Sequence, residues 1–149
     1  MFLRITTAVL ISTLMLTWPS VAQAQTEEDI YDSIEDIHGD ADGFFEVFSL
    51  LQEAVTLGDA ETFAQYALFP IMVRANGEMY EVREAQDLLD NFDSLVTAET
   101  LDAIRDQDTA DLIVTDDGVG VGNGALWITN ICLDDDCTET RWGILTINN

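Results

Sequence analysis

From residue 112 onward the hydrophobic period of this chain is that of strands, and that change governs what it can fold into. Before it, apolar residues recur at helical spacing: Phe44, Phe48, Leu51 and Val55 fall at i, i+4, i+7 and i+11, with Phe45, Val47 and Leu50 widening the stripe. After it the spacing is that of strands: Leu112 with Val114, Val119 with Val121, then residues 126–131 and 142–147, separated by Asp116-Asp117-Gly118 and Asn123-Gly124. Helices first, then a hairpin, a helix and a run of antiparallel strands, is an α+β order.

Between these halves the local signals are explicit. Asp42 can cap the Phe44 helix and Gly58 can end it, and Asp59 then caps a short helix through Phe63 and Tyr66. Phe69-Pro70 demands extended backbone, and Asn76-Gly77 predicts a hairpin between Ile71, Val73 and residues 79–82. Ala85, Leu88, Leu89 and Phe92 predict one further helix, and Thr97 caps another that buries Leu101 and Ile104. Ahead of all these, residues 26–42 are acidic, with Ile30, Ile34 and Ile37 at helical spacing. They make either a docked amphipathic helix or a mobile leader, the spacing favouring the helix.

The first 24 residues read differently. Arg4 precedes an uncharged run over residues 5–18, followed by Pro19-Ser20 and by Ala22-Gln23-Ala24, the pattern of a secretory signal peptide cleaved after Ala24. A spanning helix needs about twenty apolar residues, so the run is short for a retained anchor. No Cys follows Ala24, which excludes a lipid anchor there. The expected organisation is a signal peptide at 1–24, an acidic leader at 25–43 and a domain at 44–149. The mature protein is expected in the periplasm or outside the cell, without membrane association.

Charge narrows the partners. The chain holds 29 acidic residues against five arginines and no lysine, a net charge of −24. Such a surface repels phosphates, so nucleic acid and anionic headgroups are excluded as partners. A salt-adapted surface, a cation binder and a partner for a basic protein remain. Cys132 and Cys137 are the two cysteines, and in an exported chain so close a pair predicts a disulfide.

Several motif-like runs fail on their details. Gly118, Gly120, Gly122 and Gly124 recur at every second residue, but the third glycine of a dinucleotide loop would fall on Asn123 and the flanks are strands; a bulged or tightly curved strand fits better. His38-Gly39-Asp40-Ala41-Asp42-Gly43 imitates a calcium loop, yet His38 stands at its first position and Ser49 at its twelfth. Residues 116–117 and 134–136 are acidic turns. A single histidine, His38, gives no zinc set, and no G-x-S-x-G is present. No metal, cofactor or catalytic nucleophile is expected. Arg74, Arg105 and Arg141 are rarer: each is either an ion-pair partner among the acids or, for Arg74 and Arg105, an anchor for an anionic or carbonyl group. Trp127 is either core or a ligand platform.

The order of elements, with Leu57-Gly58-Asp59, Phe69-Pro70-Ile71-Met72-Val73, Asn91-Phe92-Asp93, Ala103-Ile104-Arg105-Asp106-Gln107 and the run from Gly118 through Ile128, resembles exported bacterial proteins of the nuclear transport factor 2-like (NTF2-like) superfamily. The resemblance covers about residues 44–128. It implies helices packed on a curved antiparallel sheet enclosing a cone-shaped pocket, and homodimers through the open sheet face; it brings no settled activity. Tyr66, Arg74, Tyr80, Asp93 and Trp127 are the candidate pocket residues. Three functions follow as expectations. The first is a non-catalytic domain binding a small molecule or protein partner. The second is a lyase- or isomerase-like enzyme with Asp93 as base and Tyr66 or Tyr80 as donor. The third is an acidic inhibitor of a basic secreted hydrolase.

Overall fold

The computed structural model describes residues 24–149, so the expected signal peptide, apart from its last residue Ala24, lies outside the described residues. The acidic segment is a docked helix, α1 (Glu27–His38). Thr26 and Asp29 form a capping box in which the Asp29 carboxylate accepts from the Thr26 hydroxyl at 2.7 Å and amide at 2.9 Å. These bonds, the hydroxyl's first, hold the Asp29 carboxyl below the ordinary aspartate range. Ile30 and Ile34 are fully buried in the core shared with the rest of the chain, while Ile37 stays 45% exposed. Gly39, at φ 75°, ends the helix.

One residue, Asp40, separates that glycine from α2 (Ala41–Leu57), and Asp40 is therefore the cap, accepting from the Gly43 amide at 3.0 Å. This corrects the expected cap: Asp42 lies inside the first turn and accepts from the Tyr31 hydroxyl at 3.0 Å. Gly58 ends α2 at φ 68°, and Asp59 caps α3 (Ala60–Gln65). The hairpin is β1 (Ala67–Ala75) and β2 (Glu78–Val82), joined by Asn76 and Gly77 at φ 54° and 79°.

The helix expected through Phe92 is two pieces, α4 (Ala85–Asp90) and α5 (Phe92–Leu95). Asn91, at φ −122°, leaves the helical region, and its carbonyl starts the new turn by accepting from the Ser94 and Leu95 amides. The break lets Phe92 reach Phe63 edge-on, with ring centroids 5.4 Å apart. Thr97 caps α6 (Ala98–Arg105), which a short 3-10 turn (Thr109–Asp111) follows.

The remaining strands are β3 (Ile113–Thr115), β4 (Gly118–Val121), β5 (Leu126–Cys132) and β6 (Thr140–Asn148). They pair antiparallel in sequence, and β6 then pairs parallel with β1, so the expected antiparallel sheet is corrected to one mixed sheet in the order β2-β1-β6-β5-β4-β3. The molecule is thus α+β. One sheet face, through Ile71, Val73, Ile128, Ile144 and Ile147, packs on Phe44, Phe48, Leu51 and Phe63 from the helices. Trp142 closes one end, edge-on to Phe44 at 5.3 Å, with its Nε1 donating to the Asp40 carbonyl at 3.0 Å. Among the described residues no helix is long and apolar enough to cross a membrane.

Cys132 and Cys137 are disulfide-bonded across the tip of the β5–β6 hairpin, with Cα atoms 4.7 Å apart. Inside the loop the Asp134 carboxylate accepts from the Thr138 hydroxyl and, at 2.7 Å, from its amide; the hydroxyl bond above all holds this carboxyl below the ordinary range. Closing so small a loop limits the entropy the bond removes from the unfolded chain. The Cys132→Ser, Cys137→Ser protein is expected to lose about 2 kcal/mol in urea unfolding. A loss near zero would mean the Asp134 bonds hold the tip unaided.

Candidate functional site

The alternating glycines serve close packing. Gly118, at φ 144°, lies where an added Cβ would stand 2.4 Å from the Ile128 carbonyl oxygen. Gly120 and Gly124 lie beneath the Trp127 ring. Gly122, at φ 60°, is pressed against α6, where a Cβ would meet the Ala103 Cβ at 2.8 Å. That approach brings the β4–β5 turn against α6, and a bond from the Gly122 amide to the Gln107 side chain fixes it. Gln52 of α2 secures the same region from inside, its Nε2 donating to the Ile104 carbonyl at 3.1 Å and the Gln107 carbonyl at 3.2 Å.

Beside this junction runs an open groove of about 710 Å³. Ala103, Gly122, Asn123 and Ala125 lie along it, and Thr97, Thr100, Asn148 and Asn149 close one end. Glu99, Asp106, Asp108 and Asp111 supply its charge, and all four are exposed. Asp106 pairs with Arg105 at 3.2 Å; among the described residues no arginine stands within salt-bridge distance of the other three. The Asn149 side chain organises the closed end. Its Oδ1 accepts from the Thr100 hydroxyl at 2.7 Å and the Thr97 amide at 2.9 Å, and its Nδ2 donates to the Leu95 and Arg74 carbonyls at 2.8 and 3.0 Å. The groove offers carboxylates, amides and hydroxyls around a small apolar floor, which suits a hydrated, positively charged ligand.

The five residues singled out in the sequence do not converge. Tyr66 is half-buried and lines a separate cleft with Asp40, Glu46, Arg141 and Trp142. Tyr80 lies on the edge strand β2, its hydroxyl donating to Glu78 at 2.9 Å, a bond that raises the phenol above its ordinary range. Asp93 is exposed on α5. Arg74 is exposed on β1, on the sheet face away from the helices. Trp127 is half-buried on that same face, in a shallow depression with Leu145, Thr146 and Asn148. An enzyme using Asp93 and a tyrosine would need the carboxylate desolvated beside the phenol; Asp93 is solvated, and neither tyrosine shares a cleft with it.

The four arginines among the described residues divide evenly. Arg83 pairs with Glu81 at 2.7 Å and Arg105 with Asp102 at 2.6 Å. Arg141 donates to the Gln65 carbonyl at 2.6 Å, and neither it nor Arg74 has a carboxylate within salt-bridge distance among the described residues. His38 is structural: its Nε2 lies 2.9 Å from the Thr115 carbonyl, and its ring meets Trp142 edge-on at 5.1 Å. Among the described residues no three His, Cys, Asp or Glu side chains gather as a metal site. Sequence reading missed the groove residues because Glu99, Asp108 and Asp111 look like any of the other acids; the one usable signal was Gly122 facing a small residue, Ala103.

No family model, curated protein or solved structure matches the chain.

Proposed function

We propose that this chain is an exported, non-catalytic binding domain whose acidic groove between α6 and the β4–β5 turn takes a cationic small molecule. The observation that carries the reading is the groove itself: about 710 Å³, open, and lined by Glu99, Asp108 and Asp111, which no arginine among the described residues neutralises. A chain of net charge −24 concentrates cations near its surface, and a concave wall of carboxylates focuses them further. The Cys132–Cys137 disulfide supports an oxidising compartment and hence export. The element order, two long helices before a hairpin, short helices and a closing meander, supports an NTF2-like kinship. In this reading the ligand sits at the rim of the fold rather than in a cone, since apolar side chains, most of them aliphatic, fill the space between helices and sheet.

The same carboxylates would meet a basic protein surface, the alternative binding mode, and size separates the two. Spermine serves as the small probe, titrated into isotope-labelled protein at low salt. Amide shifts are expected to concentrate at Ala103, Gly122 and Asn123. The Glu99→Gln, Asp108→Asn, Asp111→Asn protein is expected to bind about tenfold more weakly, about 1.4 kcal/mol. Shifts spread evenly over the acidic surface, or affinity unchanged in the triple variant, would sink the reading.

A further inference from the structure

The sheet has two edges, and they are treated differently. The β3 edge is three residues long and lies under α1, whose His38 reaches Thr115. The β2 edge is open. In a two-residue hairpin the residues flanking the turn exchange both backbone bonds, so the Ala75–Glu78, Val73–Tyr80 and Ile71–Val82 pairs face inward. Met79 and Glu81, in the alternate pairs, therefore turn their N–H and C=O groups away from the sheet, and no turn, loop or side-chain group bonds to them among the described residues.

A groove of about 360 Å³ runs along that edge, walled by Tyr80 and Val82 on the strand and by Asp87, Asn91, Ser94 and Leu95 on α4 and α5. An extended segment added beside β2 would pair with the free groups of Met79 and Glu81 and drop alternate side chains into the groove. Charge decides which segment fits. Glu78, Glu81, Glu84, Asp87 and Asp90 surround the edge, against the single Arg83, already paired with Glu81 at 2.7 Å. A second copy of the strand would set glutamates beside glutamates, which opposes pairing. A basic strand meets the opposite.

We propose that β2 and its groove form a docking edge for an extended, lysine- or arginine-bearing segment of a partner protein, bound by strand addition. This surface shares no element with the α6 groove, so either proposal can fail without the other.

The probe is an acetylated octapeptide of alternating lysine and valine, tested against an analogue methylated on every backbone nitrogen, which keeps the charge and loses the donors. The parent is expected to shift the Met79 and Glu81 amides and to bind at least tenfold more tightly than the analogue. Met79→Pro removes an outward donor without touching a ladder bond and is expected to weaken the parent by a similar factor. Its folding is checked by thermal melting, and should it fail to fold, the two peptides on the unaltered protein decide alone. In the Asp108→Asn, Asp111→Asn protein the shifts that the parent causes at the Met79 and Glu81 amides are expected to persist. Three results would overturn strand addition: an analogue within twofold of the parent, parent binding without shifts at Met79 and Glu81, and a peptide-free dimer that Met79→Pro dissolves. The first two point to charge alone, the third to self-pairing.

Discussion

Ile34→Asp is expected to leave the protein largely unfolded in dilute buffer at neutral pH. Ile34 is completely buried where α1 meets the core. The substitution removes the packing of its alkyl groups and asks for a carboxylate in a site closed to solvent. Neutralising that carboxyl or opening the helix away from the core would each cost several kcal/mol, against a total stability of about 5–15 kcal/mol for a domain. Ile37→Asp, three residues on and 45% exposed, is the control, with an expected change within about 0.5 kcal/mol. Urea unfolding followed by circular dichroism compares the two. Equal, small effects would return residues 25–43 to the status of a mobile leader and shorten the folded domain.

Gly118→Ala is expected to destabilise by about 3 kcal/mol or more, for two separable reasons. At φ 144° an L residue is strained, and its Cβ would press into the Ile128 carbonyl at 2.4 Å, backbone that cannot swing aside as a side chain does. Gly39→Ala isolates the first reason, since Gly39 also has positive φ, 75°, but nothing lies within 4 Å of its Cβ position. That variant is expected to lose about 1 kcal/mol. The difference in urea midpoints then measures the collision between β4 and β5. Equal losses would show that β5 yields to the extra carbon.

Local chemistry is what the sequence displayed. The Phe44 stripe, the caps at Asp59 and Thr97, the Asn76-Gly77 turn and the cysteine staple all act within a few residues of themselves, and each stands in the fold. Asp40 displaced Asp42 as a cap because the helix resumes one residue after Gly39, a spacing that propensities do not encode. Asn91 interrupted a helix whose apolar period ran straight through it. The parallel pairing of β1 with β6 has no local signature, since it joins residues such as Ala67 and Ile144. The site was less legible for the same reason. Which of 29 acids share a groove depends on the α6 junction, and the free groups of β2 depend on which strand ends the sheet.

The strand order also constrains when the fold can be completed. β6 is the last described strand in the chain, yet it lies between β1 and β5. During synthesis the β1–β2 hairpin and the β3–β4–β5 meander emerge first, each with one side waiting for β6. Helices and the hairpin can form as they appear; the sheet cannot become one object until its final strand arrives, across one of the longest loops in the chain. The rate of that last step sets how long the unpaired backbone edges of two half-sheets stay open, and partners that intercept the chain early would meet those edges rather than the finished surface.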